Sequence, residues 1–218
     1  MTLYQLGKTP LPQLPKAVQL PLELLQMFSA CSIDFIRGSA KEVVGIEPSA
    51  IYQKGFRTKG IPVYSYANEA QAYQGKADIV VSWDVIEHVE DPLSFLKDIS
   101  LLLKPGGKLI VGTPTEYPVL RLLLGEVFDR FIFQANHPWI FSEQSLVYMS
   151  KKIGILDNIY VCQKFRYGIG NTFSWLKEQK PLGDVQYDFI SETLNEVWKK
   201  EMLKKGMGEY LILTAEKI

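Results

Sequence analysis

The run ADIVVSWDVIEHVEDPLSFLKDISLLLKPGGKLIVGTP, residues 77 to 114, limits the possible folds more than any other part of the chain. Its first six residues, ADIVVS, are nearly all apolar, as expected of a strand buried on both faces of a parallel sheet. Leu93, Leu96, Ile99 and Leu103 then share one helical stripe, Pro105-Gly106-Gly107 breaks the helix and turns the chain, and KLIVGTP reads as the next strand. Strand, helix and strand in this cadence predict a right-handed crossover between parallel neighbours. Upstream the cadence repeats. EVVGI is a short β-branched run ending at Glu47, Pro48-Ser49 opens a helix through Lys59, and IPVYSY reads as another strand. The predicted fold class is therefore α/β, a doubly wound and mostly parallel sheet, and ligands in such sheets bind at the carboxyl ends of the strands.

The flanking regions read differently. Pro10, Pro12 and Pro15 predict an extended arm over residues 1 to 15, leaving 16 to 218 as a single domain. From Pro21 to Arg37 the apolar positions Leu24, Leu25, Phe28, Cys31, Phe35 and Ile36 recur at helical spacing. A short strand near Leu24 to Phe28 followed by a turn and a helix fits the same residues. Residues 117 to 135 form an apolar-rich helical insertion, in which Arg121, Glu126, Asp129 and Arg130 exclude a membrane span. That insertion fits either the roof of an acceptor pocket or a core helix. FSEQSLVYMSKKIGI predicts a helix capped by Ser142, and NIYVCQKF and YLILTAEK are the last strands, separated by a helix around FISETLNEVWKKEML.

Composition narrows the function. Lys plus Arg equals Asp plus Glu at 24 each, so no electrostatic footprint for nucleic acid is present and no nucleic-acid partner is expected. Cys31 and Cys162 lie far apart without metal-type spacing, which predicts free thiols in a reducing compartment, the cytoplasm. No export signal or membrane-spanning run is visible. A small-molecule partner, or a glycan or lipid precursor, is expected, and nothing in the sequence sets the oligomeric state.

The stretch from residue 77 to 114, with its EH dipeptide after a buried strand, acidic-Pro step into a helix, LKPGG and strand ending in TP, resembles the central signature of class I S-adenosylmethionine-dependent methyltransferases, including the ubiquinone-biosynthesis type. EVVGIEPS matches the preceding part of that pattern, HPWIFSEQSLVYMSKKIGI its later helix, and GIGNTFSWLKEQKP a segment of some bacterial members. The resemblance implies a Rossmann-like sheet with an antiparallel last strand, S-adenosylmethionine as cofactor, and Glu47, followed by Pro48, as the acid that accepts hydrogen bonds from both ribose hydroxyls. A carboxylate at a strand end can make two charge-assisted hydrogen bonds to a diol. Ala67, Asn68 and Glu69 fall where relatives contact the adenine. Trp83 and Asp84 follow the third motif strand, and an indole face there can receive a sulfonium.

Methyl transfer needs mainly alignment of donor and acceptor, with a general base when the acceptor is a hydroxyl. His88 is the first choice for that base and His137 the second, the chain having two histidines. Asp84, Glu87 and His88 form D-x-x-E-H and, with His137, resemble the metal-binding E-x-x-E-H and distant His of small-RNA 2′-O-methyltransferases and some quinone-precursor O-methyltransferases. A divalent Mg, Mn or Zn ion there would polarise an acceptor hydroxyl.

The loop FSACSIDF departs from the family. Counting back from Glu47, the three glycines of its G-x-G-x-G loop become Ser29, Cys31 and Ile33. A Cβ at each obstructs positive φ and close approach of the cofactor's carboxylate-bearing half, and Ile33 is β-branched as well. Ser29 and Cys31 are the smaller replacements and remain cofactor-contact candidates. Three readings follow: a working O-methyltransferase with an atypical loop, an inactive methyltransferase-like binding partner or scaffold, and a dehydrogenase. The last is disfavoured because the chain has no G-x-G-x-x-G.

Overall fold

The computed structural model describes residues 22–27, for which the backbone course alone is used, together with 40–133, 137–180, 182 and 185–218. The arm expected over residues 1 to 15 lies outside the described residues. Those residues fall into two compact units. One is a sheet unit of residues 22–27, 40–113, 138–162 and 211–218; the other is a helical unit of residues 114–133, 137, 163–180, 182 and 185–210.

The sheet holds β1 (Leu22–Met27), β2 (Ala40–Ile46), β3 (Val63–Tyr64), β4 (Ala77–Trp83), β5 (Leu103–Pro114), β6 (Leu156–Lys164) and β7 (Tyr210–Lys217), in the order β3-β2-β1-β4-β5-β7-β6. β1 pairs in parallel with both β2 and β4, β2 with β3, and β4 with β5. The last strand is antiparallel. Numbers fall along β6 as they rise along β7: Ile218 N–H donates to Ile155 O at 3.2 Å, and Thr214 Oγ1 lies 3.5 Å from Tyr160 O. A doubly wound, mostly parallel sheet is thus the observed architecture.

The helical reading of residues 21 to 37 is corrected at its start. Leu22–Met27 is a strand in the middle of the sheet, as the alternative had it, because pairing on both sides overrides a helical spacing of apolar residues. In the same way β5 begins at Leu103 rather than at Lys108. Opposite the step from Ala77 to Ile79, β5 advances from Leu103 to Lys108, so Lys104 to Gly107 are accommodated as a bulge. Gly106 has φ +75°, and a Cβ on Gly107 would sit 2.8 Å from Ala77 O and 2.9 Å from Lys104 O, which is why this turn carries two glycines.

The core lies in the sheet unit. Val44 and Ile46 of β2, Val80 of β4, Leu109 and Val111 of β5 and Leu211 and Leu213 of β7 meet Leu96, Ile99 and Leu102 of helix α2 (Pro92–Leu102) and Leu146 of helix α5 (Glu143–Lys152). Helix α1 (Ala50–Thr58) packs Phe56 against Val43 and Ile61. Asp91 caps α2 by accepting from Leu93 N and Ser94 N, with Pro92 at the first helical position, where its missing N–H is no loss. Ser142 and Ser145 form a reciprocal capping box on α5.

In the helical unit the insertion is two short helices, α3 (Pro118–Leu124) and α4 (Glu126–Ile132), broken at Gly125 with φ +53°. Leu120, Phe128 and Ile132 are buried, and Phe128 and Phe131 pack edge-on against Trp175 of α6 (Ile169–Glu178) at 5.2 and 4.9 Å. The insertion therefore supplies core to its own unit. Helix α7 (Glu192–Lys204) follows, and Asn195 Oδ1 accepts Ile169 N at 3.0 Å, tying it to the start of α6. Among the described residues no helix is long and apolar enough to cross a membrane.

Candidate active site

The strand order reverses at β1. The chain passes from β1 outward through β2 and β3, then returns to place β4 on the other side of β1. Open α/β sheets bind ligands where the order reverses, outside the carboxyl ends of the strands. The register fixes what stands there. Gln26 is level with Gly45 and Met27 with Ser82, so Glu47 and Trp83 lie at one height, one step past the end of β1, on its two sides. Two strand spacings separate them, about 10 Å.

Glu47 is held by its backbone. Its N–H donates to Tyr64 O at 2.8 Å and its carbonyl accepts Gln53 Nε2 at 2.7 Å. Its Oε1 accepts the N–H of Ser49, the residue that precedes the first turn of α1, at 2.8 Å, and Glu47 is half-buried. Pro48 beside it is exposed. Gln53 also donates to Ser65 Oγ at 3.2 Å and accepts from Arg57 Nη2 at 2.8 Å. This buried glutamine joins the tip of β2 to the loop after β3, a role the sequence reading missed. Its one signal was a polar residue three positions before the core Phe56 on the same helix. Ala67, Asn68 and Glu69 form a single 3-10 turn on that loop, with Ala67 buried and the other two exposed; Glu69 Oε2 accepts Ser65 N at 3.1 Å.

At the tip of β4, Trp83 is half-buried and Asp84 adopts left-handed backbone, φ +51°, with its N–H on Gly112 O at 2.9 Å. Asp tolerates this conformation better than most residues, and strain of this kind clusters at functional sites. D-x-x-E-H does not form one continuous helical turn. Val85 has ψ −46° and φ −125°, and 3-10 geometry begins only at Ile86, over Ile86–His88. Ile86 and Glu87 are buried while the His88 side chain is 37% exposed. Glu87 Oε2 accepts the Thr113 hydroxyl at 2.9 Å, and Glu87 Oε1 stands 3.9 Å from His88 Nε2. Trp139 spans the turn: its N–H points to Glu87 O at 3.4 Å and its indole Nε1 donates to Val89 O at 2.9 Å. Neither Thr113 nor Trp139 was singled out from sequence, since each acts on a residue far away in the chain.

His137 belongs to the helical unit, where its Nδ1 lies 3.2 Å from Ile132 O. The same unit contains a carboxylate no motif announced. Glu209 is 7% exposed, and its Oε1 accepts both Arg166 N at 2.7 Å and Tyr167 N at 2.8 Å. Burial pushes its pKa up to about 7, against the lowering effect of those two amides. Ser29 and Cys31, with Ile33, lie outside the described residues.

A sequence-family profile described as a methyltransferase domain matches residues 24–155, more than half of the chain. The chain belongs to the methyltransferase domain family. Among curated relatives, this methyltransferase domain is 40% identical over 75 residues to a ubiquinone biosynthesis O-methyltransferase of Ruegeria pomeroyi, a match covering 33% of this chain and 30% of the relative. The match thus spans about a third of the length of that protein. Its fold is shared with a SAM-dependent methyltransferase of Archaeoglobus fulgidus, TM-score 0.59 at 13% identity over 91% of this chain and 87% of the other. It is shared also with phosphoethanolamine N-methyltransferase 2 of Haemonchus contortus, solved with S-adenosyl-L-methionine, TM-score 0.58 at 16% identity over 93% of this chain and 50% of the other.

Proposed function

We propose that the chain is an S-adenosylmethionine-dependent methyltransferase acting on an oxygen of a small molecule. The single observation that carries this reading is the placement of Glu47 and Trp83 at equal height on either side of the β1 end, where the strand order reverses. The donor set fits an adenosine-bearing sulfonium. A carboxylate fixed by two backbone hydrogen bonds and one at Oε1 can take the two ribose hydroxyls with little reorganisation, and an indole can face positive charge. Ala67, Asn68 and Glu69, on a loop tied to Glu47 through Gln53, are the adenine-side contacts.

S-adenosylmethionine supplies an activated methyl group, and the chain's residues supply alignment and proton removal. His88, with its exposed imidazole on the turn after β4, takes the proton of the acceptor hydroxyl. Glu87 beside it is a buried carboxylate that interacts with the resulting positive charge. The name of the Ruegeria relative supports an oxygen acceptor; the inactive-scaffold reading is the weaker one, because the central motifs and their strand-tip geometry are intact. The test is turnover: S-adenosylhomocysteine released from S-adenosylmethionine and a small catechol, 3,4-dihydroxybenzoate, quantified by mass spectrometry, should depend on the protein. No product above the protein-free background, with several small phenols and catechols, would count against the reading.

A second reading has one observation in its favour. Glu87 Oε1 and His88 Nε2, 3.9 Å apart, are close enough to converge on one divalent cation, whereas Asp84 is not among the residues whose ligand atoms cluster there. Such a cation would polarise the acceptor hydroxyl.

A further inference from the structure

We propose that Thr113 and Trp139 are positioning residues for His88, acting together as a clamp on the turn that carries it. This rests on the reading of His88 as the base. The turn Ile86–His88 is one round of 3-10 helix after a left-handed residue, and a single turn of that kind does not hold its own geometry. Its internal backbone bond runs from His88 N to Val85 O at 2.9 Å. Further constraints come from distant parts of the chain.

The Thr113 hydroxyl at the end of β5 reaches across 26 residues to Glu87 Oε2. Glu87 is 1% exposed and Thr113 fully buried, so the bond satisfies one oxygen, Oε2, of a carboxylate that is costly to bury, and it restrains the rotation of the residue adjoining His88. Trp139 in turn reaches across 50 residues. Its two donors go to the carbonyls of Glu87 and Val89, the neighbours on either side of His88, so the indole lies along the backbone of the histidine itself. Trp139 is 42% exposed, so the ring is only partly buried and its hydrogen bonds add to what packing supplies. Phe141, two residues on and 4% exposed, anchors the segment that carries Trp139 in the core before α5 begins. Trp139 is therefore held at the turn by its two hydrogen bonds, and the segment that carries it is held by the core packing of Phe141.

The test uses the two histidines as probes. Protein labelled with 13C-histidine gives two ring signals, and His88→Asn assigns one of them. In Trp139→Phe, which keeps an aromatic ring but loses the indole donor, the His88 ring signal should shift and broaden. Turnover of 3,4-dihydroxybenzoate should fall about tenfold in kcat. KM for S-adenosylmethionine and the Kd for S-adenosylhomocysteine should stay within about twofold. Thr113→Val should behave alike and Thr113→Ser, which restores the hydroxyl, should match wild type. An unmoved His88 signal in Trp139→Phe, or equal losses in Thr113→Ser and Thr113→Val, would overturn the clamp. Should Thr113→Val not fold, Trp139→Phe decides alone. If wild type neither binds S-adenosylhomocysteine nor turns over, the proposed function fails, while the ring signal still reports on the clamp.

Discussion

Replacing Glu209 with glutamine removes one titration while keeping the geometry around it. The side-chain oxygen of glutamine can still accept the Arg166 and Tyr167 amides, which lie 2.7 and 2.8 Å from Glu209 Oε1. The charge goes. Burial raises Glu209 from the ordinary carboxylate value of 4.5 to about 7, with the Arg166 and Lys199 charges pulling the other way. The folded state therefore holds this proton more tightly than the unfolded chain does. Its contribution to stability is fully present below about pH 4.5 and is lost as pH rises through about 7. The difference between those two values corresponds to about 3 kcal/mol. Wild type should therefore lose about that much relative to Glu209→Gln between pH 4.5 and pH 8, and other groups cancel in the comparison. At pH 8 the variant should melt on the order of 5–10 °C higher than wild type, and at pH 4.5 the two should coincide. Thermal unfolding followed by circular dichroism across that range reads the difference. Parallel pH profiles for the two proteins would show that Glu209 does not titrate in this window and would refute the reasoning. A variant less stable at pH 8 would show that the ionised form is the favoured one.

Gly107→Ala should destabilise the sheet unit by about 1–3 kcal/mol, since the new Cβ meets two carbonyl oxygens at under 3 Å; an unchanged denaturation midpoint would contradict the bulge geometry. His88→Asn should reduce kcat by about a hundredfold or more at unchanged affinity for S-adenosylhomocysteine, and residual turnover near wild type would remove His88 as the base. Treatment with EDTA followed by desalting should leave turnover intact; activity lost on chelation and restored by Mg or Mn would instead establish the cation reading at Glu87 and His88.

The parts of the fold legible in the sequence are those where local signals agree with tertiary ones. Helix α2 carries an Asp-Pro start and a regular stripe, and β4 is apolar on both faces, so each reads correctly from a dozen residues. β1 does not, because its strand character is conferred by β2 and β4 and its own apolar residues suit a helix equally. Helix α6 was read only as a likeness, its start hidden by Gly168 and Gly170. Gly168 is required because a Cβ would collide with the Asn195 side chain, a contact invisible from within the segment. The same division runs through the site. Glu47 and His88 are placed by strand ends that periodicity locates. Gln53, Thr113 and Trp139 act through bonds spanning 6, 26 and 50 residues, and no local pattern encodes a partner at that distance.

Calorimetric titration of S-adenosylhomocysteine into wild type and Glu47→Ala tests the central claim most directly. Wild type should bind, and the substitution should weaken binding at least tenfold, since hydrogen bonds to a charged partner contribute about 1.5–3 kcal/mol each. Absence of heat with the wild-type protein at about millimolar ligand, a concentration matching only about 4 kcal/mol of binding free energy, would contradict the account. So would equal affinity in the two proteins, which would place the ribose elsewhere than at the end of β2.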